Sequence, residues 1–231
     1  MCNLLLSYVF FGIILSSPSE LIKKIDQLDS NSKYDQELIE LDKAIDSYPN
    51  NIDLLWRLSR VHFEIADQSD KEEVHRKHFY PGLDYAKQAL KINQNSAKAN
   101  HWYAVLIGKI GLLEGTEQKI KNSYEVKKYA LKAINLDPNY DGTYHVMGRW
   151  HYEIASLSWF ERKIAALVYA IPPDGSYEEA VFFLKKAIES KDNEIRHYYW
   201  LSKTFIKINN LDEAKKYLKK ILLLKSFDNS D

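Results

Sequence analysis

Residues 198–221 read YYWLSKTFIKINNLDEAKKYLKKI, two short helices joined by a turn. Tyr198, Leu201, Ser202 and Phe205 recur at threes and fours, as do Ala214, Leu218 and Ile221, so each half presents one apolar stripe. Between the halves Asn210 is followed three positions later by Glu213, the pairing that caps a new helix.

From Leu201 to Ala214 is 13 positions, the helix A to helix B spacing of a tetratricopeptide repeat. Tyr144, Met147 and Gly148 repeat the front of this pattern, and Gly148 is small enough for a second helix to pack closely. Helix B endings recur at Ala44–Ile45, Ala89–Leu90, Ala133–Ile134 and Ala187–Ile188. Their alanines lie 45, 44 and 54 residues apart, and Ala187 lies 34 residues before Ile221. A tetratricopeptide period is about 34 residues, so the longer units carry insertions, expected as irregular loops at Asp67 to Pro81, Gly108 to Ser123 and within Gly148 to Pro173. The expected fold is all-α: a right-handed tetratricopeptide-like solenoid of about five helix pairs with insertions between helices A and B.

Residues 148–173, GRWHYEIASLSWFERKIAALVYAIPP, form a dense apolar and aromatic block in a highly charged chain. Ile154, Leu157, Trp159, Phe160, Ile164, Leu167 and Val168 follow a helical period, so the block is expected to be helical, with the paired helices stacked on it. Its charges break it too often for a membrane span. Trp150, Trp159 and Trp200 are read as core residues.

With 231 residues, 45% hydrophobic and 28% charged, the chain has apolar material for one sizeable core. Its 32 basic and 32 acidic residues cancel, so no global field recommends nucleic acid. One cysteine excludes an internal disulfide. Residues 1–16 contain an apolar run from Leu4 to Leu15, about 18 Å as a helix against a hydrocarbon core of roughly 30 Å. A signal, an anchor and a mispredicted start all stay open for this leader. Ser17, Pro18 and Glu20 form a capping sequence, so the helical domain is expected at 17–225, followed by a polar tail at 226–231.

Several blocks carry a more specific resemblance: DLLWRLSR at 53–60, WYA at 102–104, KIKNSY at 119–124, HVMGRW at 145–150 and LSWFERKI at 157–164. With PP at 172–173 and YEEA at 177–180, their order and spacing resemble the regulator of microtubule dynamics family over roughly 21–224. The resemblance implies a tetratricopeptide-like domain that associates with microtubules or tubulin and spindle poles in some members. In others it implies membrane-contact tethering or lipid handling at the mitochondrial or endoplasmic reticulum surface. It implies a cytoplasmic, cytoskeletal setting, with secretion left open by the leader. Tethering members carry a long transmembrane and linker region, where this chain shows the short leader.

Inward-facing helix A positions, counted from the small residue of each repeat, give Trp56, Arg60 and Phe63, then Lys98, His101 and Val105. The next units give His145, Arg149 and Tyr152, then Arg196, Tyr199, Lys203 and Ile206. This basic and aromatic surface suits an acidic or extended peptide, because guanidinium and ammonium groups pair carboxylates and flat rings add contact area. An apolar cavity binding lipid is the alternative. Trp56, His101, His145 and Tyr199 do not reproduce the Lys and Asn clamp of chaperone-tail binders. No nucleophile elbow or dinucleotide fingerprint is present, so neither catalysis nor a cofactor is expected. His75 and His78 lack zinc-spaced partners and are read as a solvated loop. Gly108, Gly111 and Gly115 lack the phosphate-cradling ending and are read as a helix-ending loop.

Overall fold

The structure, a computed structural model, describes residues 18–228, and among them it contains eleven α-helices and no strand. Ten form five antiparallel pairs. These are α1 (Pro18–Ser30) with α2 (Tyr34–Ser47), α3 (Ile52–Asp67) with α4 (Glu72–Ile92), and α5 (Ala97–Leu113) with α6 (Thr116–Leu136). Then follow α7 (Asp141–Ala155) with α9 (Tyr177–Ser190), and α10 (Ile195–Lys207) with α11 (Leu211–Asp228). The remaining helix, α8 (Trp159–Val168), is inserted inside the fourth pair. The leader expected at 1–16 and the Ser17 cap lie outside the described residues, and α11 continues into the stretch read as a polar tail. No described helix is long and apolar enough to cross a membrane.

Local chemistry sets the helix starts. The side chains of Asn51, Ser96, Ser158 and Ser176 each accept a hydrogen bond from a first-turn amide, which satisfies donors that the helix itself leaves unpaired. Asn210 does the same for Glu213 at 3.3 Å, as its spacing predicts. Apolar burial then joins each pair to the next in series. Ile25, Leu41 and Leu58 cluster across α1 to α3; Phe63, Phe79, Trp102 and Leu106 across α3 to α5; Val126, Met147 and Trp150 across α5 to α7. Leu184, Leu201, Phe205 and Ala214 close the series. The recurring alanines Ala44, Ala89, Ala133 and Ala187 are all buried where helices meet. Such nearest-neighbour packing makes a stacked-repeat array.

The crossing of α7 and α9 is as close as Gly148 suggests. A Cβ there would stand 2.5 Å from Leu184 Cγ and 3.3 Å from the Leu184 backbone nitrogen, so no side chain fits without moving α9.

Two of the three expected loops are helix instead. Of Asp67 to Pro81 only 68–71 is a connection; Glu72 to Pro81 is the front of α4, which continues through Pro81. An internal proline costs about 3 kcal/mol, but Phe79 and Leu83 beside it are both buried, each contributing roughly 1.5–3 kcal/mol. His75 and His78 therefore lie on a helix. His78 is buried, with its Nδ1 3.0 Å from Nδ1 of His62 on α3. Gly108 and Gly111 likewise lie inside α5. Only Gly115 sits in the turn, at φ 91°, a left-handed backbone that favours glycine.

The block at 148–173 departs furthest from expectation. It is not one helix on which the others stack. Its first part belongs to α7, which stops at Ala155, and its last part is extended. Between them α8 packs along no other described helix. Trp159 is 73% exposed and Leu167 87% exposed, so this tryptophan is not a core residue.

The candidate binding groove

The inward faces of α3, α5, α7 and α10 line a cavity of about 1000 Å³, closed on one side by α8 and the extended return to α9. Of the thirteen residues picked out by repeat position, Arg60, Phe63, His101, Val105, His145, Arg149 and Arg196 line it. The other six stand around it, Ile206 among them at 52% exposed. Trp56 is buried under the guanidinium of Arg57 at 4.1 Å, and Lys98 lies 3.0 Å from the centre of the Tyr140 ring. Tyr152 is buried edge-on against Trp200, and Lys203 sits 4.4 Å above that same Trp200 ring. Tyr199 is 51% exposed and meets Trp200 edge-on.

The surface is less basic than its sequence suggests, because most of its cations are already paired. Arg60 Nη2 donates to Glu37 Oε1 at 2.7 Å and its Nη1 lies 3.1 Å from Asp29 Oδ2. Beside it Arg57 grips Asp26 in a fork, Nε at 2.8 Å and Nη2 at 2.6 Å. Burial raises the Asp26 carboxyl, but the hydrogen bond and charge of Arg57 outweigh it and hold the pKa below the usual value. Glu37 is fully buried, and burial pushes its carboxyl up to about 7 against the pull of Arg60. Arg196 pairs with Glu194 at 2.9 Å, and Lys109 pairs with Asp67. Glu64, Asp67 and Glu153 also line the cavity, and burial lifts Glu64 to about 6.

Arg149 and Lys203 are different. Neither makes a salt bridge among the described residues; each instead stacks on Trp200, the Arg149 guanidinium at 4.4 Å and the Lys203 ammonium at 4.4 Å. Burial lowers the pKa of Arg149, outweighing the opposing pull of the Glu153 and Asp67 carboxylates. Trp200, read from sequence as core, thus becomes a platform between two cations from different repeats. The sequence signal for it was its place between inward positions Tyr199 and Lys203.

The histidines serve as stitches between helices. His197 Nε2 donates to Asp141 Oδ2 at 2.9 Å, which leaves its Nδ1 to accept from His145 Nδ1, also at 2.9 Å. Burial holds His145 well below the ordinary histidine range. Thr143 Oγ1 and His101 Nδ1 share a hydrogen bond at 3.0 Å, and burial holds His101 at about 3. No three His, Cys, Asp or Glu side chains gather as a metal site among the described residues.

α8 is the element that repeat counting missed. Its start is fixed by a capping box, Ser158 with Glu161. Arg162 Nη2 donates to Ile154 O at 2.9 Å and its Nη1 to Pro173 O at 3.2 Å, joining the exit and return of the insertion. Tyr124 on α6 donates to Ile171 O at 2.8 Å. Phe160, Ile164 and Ala165 consequently form one wall of the cavity.

The fold is that of tetratricopeptide proteins. The solved structure of TTC0263, a thermophilic TPR protein in Thermus thermophilus, superposes with TM-score 0.67 at 16% identity, covering 89% of this chain and 90% of that one. A crystal structure of MamA superposes with TM-score 0.54 at 17% identity, covering 90% of this chain and 97% of that one. At the sequence level, regulator of microtubule dynamics protein 1 of Mus musculus is 40% identical over 170 residues, 73% of this chain and 56% of that protein. The Bos taurus protein of the same name is 38% identical over 170 residues, 73% of this chain and 54% of the relative. Regulator of microtubule dynamics protein 3 of Mus musculus is 29% identical over 215 residues, 89% of this chain and 44% of the relative. The chain thus spans about half the length of the relatives it matches. The profile of the family described as regulator of microtubule dynamics protein 1-3 matches residues 21–231, and on that match this tetratricopeptide-like chain belongs to the regulator of microtubule dynamics family.

Proposed function

We propose that this protein is a non-catalytic interaction module that binds an acidic, extended protein segment in its concave groove, with microtubules as the partner its relatives' name suggests. The observation that carries this reading is the pair of cations without salt bridges, Arg149 and Lys203, stacked on the one Trp200 ring. A carboxylate reaching them replaces no existing anion, and the aromatic platform adds contact area at low entropic cost. Its place is then the cytoplasm, on the cytoskeleton.

Microtubule co-sedimentation at low and raised salt tests it, since exposed charge contacts are screened. Arg149→Glu with Lys203→Glu should weaken binding by more than about tenfold, because attraction and steering both change sign. The control reverses Lys215 and Lys219, exposed on α11 away from the cavity, and should leave binding near wild type. Equal losses from both pairs would mean diffuse electrostatics; no loss from either would remove the groove.

The exposed apolar surface of α8 and the stretch after it, with Trp159, Leu167 and Ile171 open to solvent, favours lipid or membrane association as a second reading. Phospholipid copurifying with the protein, detected by mass spectrometry, would put that reading first.

A further inference from the structure

Residues 156–176 are the part of the described chain that no helix pair needs. The insertion does not collapse onto the groove it overlooks, because its frame is fixed. Arg162 ties Ile154 to Pro173, and Tyr124 holds Ile171 from α6. The outcome is a preformed apolar wall: Phe160 lines the cavity yet remains 65% exposed, and Ile164 beside it is 42% exposed. A large apolar side chain left in water forgoes roughly 1.5–3 kcal/mol of burial, so a ligand side chain that covers this wall binds favourably.

Arg149 lines the same cavity, and Lys203 stands beside it on the Trp200 ring. The lining also carries the carboxylates of Glu64 and Glu153. An acyl chain would lie against these carboxylates without pairing them, whereas the amides of a peptide donate to them.

We infer that the groove's occupant is an extended peptide carrying both an acidic residue and a large apolar residue. The carboxylate sits on Arg149 and Lys203, and the apolar side chain sits against Phe160 and Ile164. The inference rests on the acidic-segment reading above and makes α8 the element that separates such a peptide from a uniformly acidic one.

Fluorescence anisotropy with two labelled octapeptides tests it: oligoglutamate, and the same peptide with one internal Glu replaced by Phe. Wild-type protein should bind the Phe-bearing peptide at least about tenfold more tightly, since one buried aromatic ring outweighs one lost carboxylate. Phe160→Ser with Ile164→Ser should erase that preference, bringing the two peptides to equal affinity; both positions are exposed, so the circular-dichroism spectrum should hold. Arg149→Gln should weaken both peptides. Equal affinity of the two peptides for the wild type overturns the inference and leaves the acidic-segment reading standing. If neither peptide binds, that reading falls as well. Displacement of the Phe-bearing peptide by anionic phospholipid vesicles, lost in the Phe160 and Ile164 variant, would overturn the inference by assigning the wall to a membrane.

Discussion

Arg60 and Arg149 occupy equivalent inward positions on helix A of two repeats and line one cavity, yet their surroundings are opposite. Arg60 is locked by Asp26, Asp29 and Glu37 from the first helix pair, and its side chain is 13% exposed. Arg149 faces Trp200 and has no anion within salt-bridge range among the described residues. A repeat position therefore sets where a side chain points, while the neighbouring pair sets whether its charge is spent on the fold or left for a ligand. At the first end of the array the inward guanidinium is neutralised by the fold; at the second it is stacked on a ring instead.

The contrast breaks first at Arg60. Arg60→Ala should destabilise by about 3–5 kcal/mol, because it strands the buried Glu37 carboxylate. The loss should be larger at pH 8 than at pH 6. Beside Arg60 the folded pKa of Glu37 is raised to about 7, so at pH 6 the carboxyl is largely protonated and loses little with the arginine, whereas at pH 8 an ionised pair is broken. Urea midpoints at the two pH values measure this; an equal and small loss at both would make the arginine cluster ornamental.

Gly148→Leu tests whether the two ends belong to one cooperative array. It forces α7 and α9 apart at the Leu184 contact and should cost about 1–3 kcal/mol. One cooperative transition should persist at a lower midpoint. Two separated transitions, with the α1 to α6 signal unmoved, would split the array into independent halves.

Between the ends, neutral imidazoles join neighbouring helices and give the array its acid sensitivity. Burial depresses His62 to about 4 and His101 to about 3, so below a pH of about 6.5 the unfolded chain binds protons that the folded one refuses. Stability is then complete above that pH and falls as the pH drops towards 4, by up to about 1.4 kcal/mol per unit for each ring. His62→Gln with His101→Gln should flatten the slope of thermal midpoint against pH in this window. An unchanged slope would assign acid sensitivity to other groups.

The array itself is legible in the chain because its causes are local or periodic. The alanines at Ala44, Ala89, Ala133 and Ala187 mark helix crossings, Asn210 caps α11, and Gly148 marks the tight contact. What is not legible depends on distant partners. Pro81 reads as a break until the burial of Phe79 and Leu83 is known. α8 has the apolar content of a core helix, and its position at the rim is set by Arg162 and by Tyr124, 47 residues from its partner Ile171. Repeat counting found seven cavity residues but not their charge balance, since Asp26 and Glu37, which pair Arg60, lie 34 and 23 residues away in another helix pair.

The smallest expected effect is the one that defines the comparison. Arg149→Gln should change stability by no more than about 0.5 kcal/mol, although the side chain is largely buried and lies close to Trp150 and Glu153. The mutation breaks no salt bridge, so it strands no anion, and the lost stacking on Trp200 is worth roughly 0.5–1 kcal/mol. Against that loss stands the removal of a desolvated cation, whose lowered pKa shows that the folded state disfavours its charge. The two contributions oppose, and a slight gain in stability is as consistent with this balance as a slight loss. Guanidinium titration of the variant beside Arg60→Ala gives the decisive contrast: a large loss at one position and almost none at the other. A loss above about 1.5 kcal/mol for Arg149→Gln would show that its charge supports the fold after all, and would leave the groove without the cation on which its binding chemistry depends.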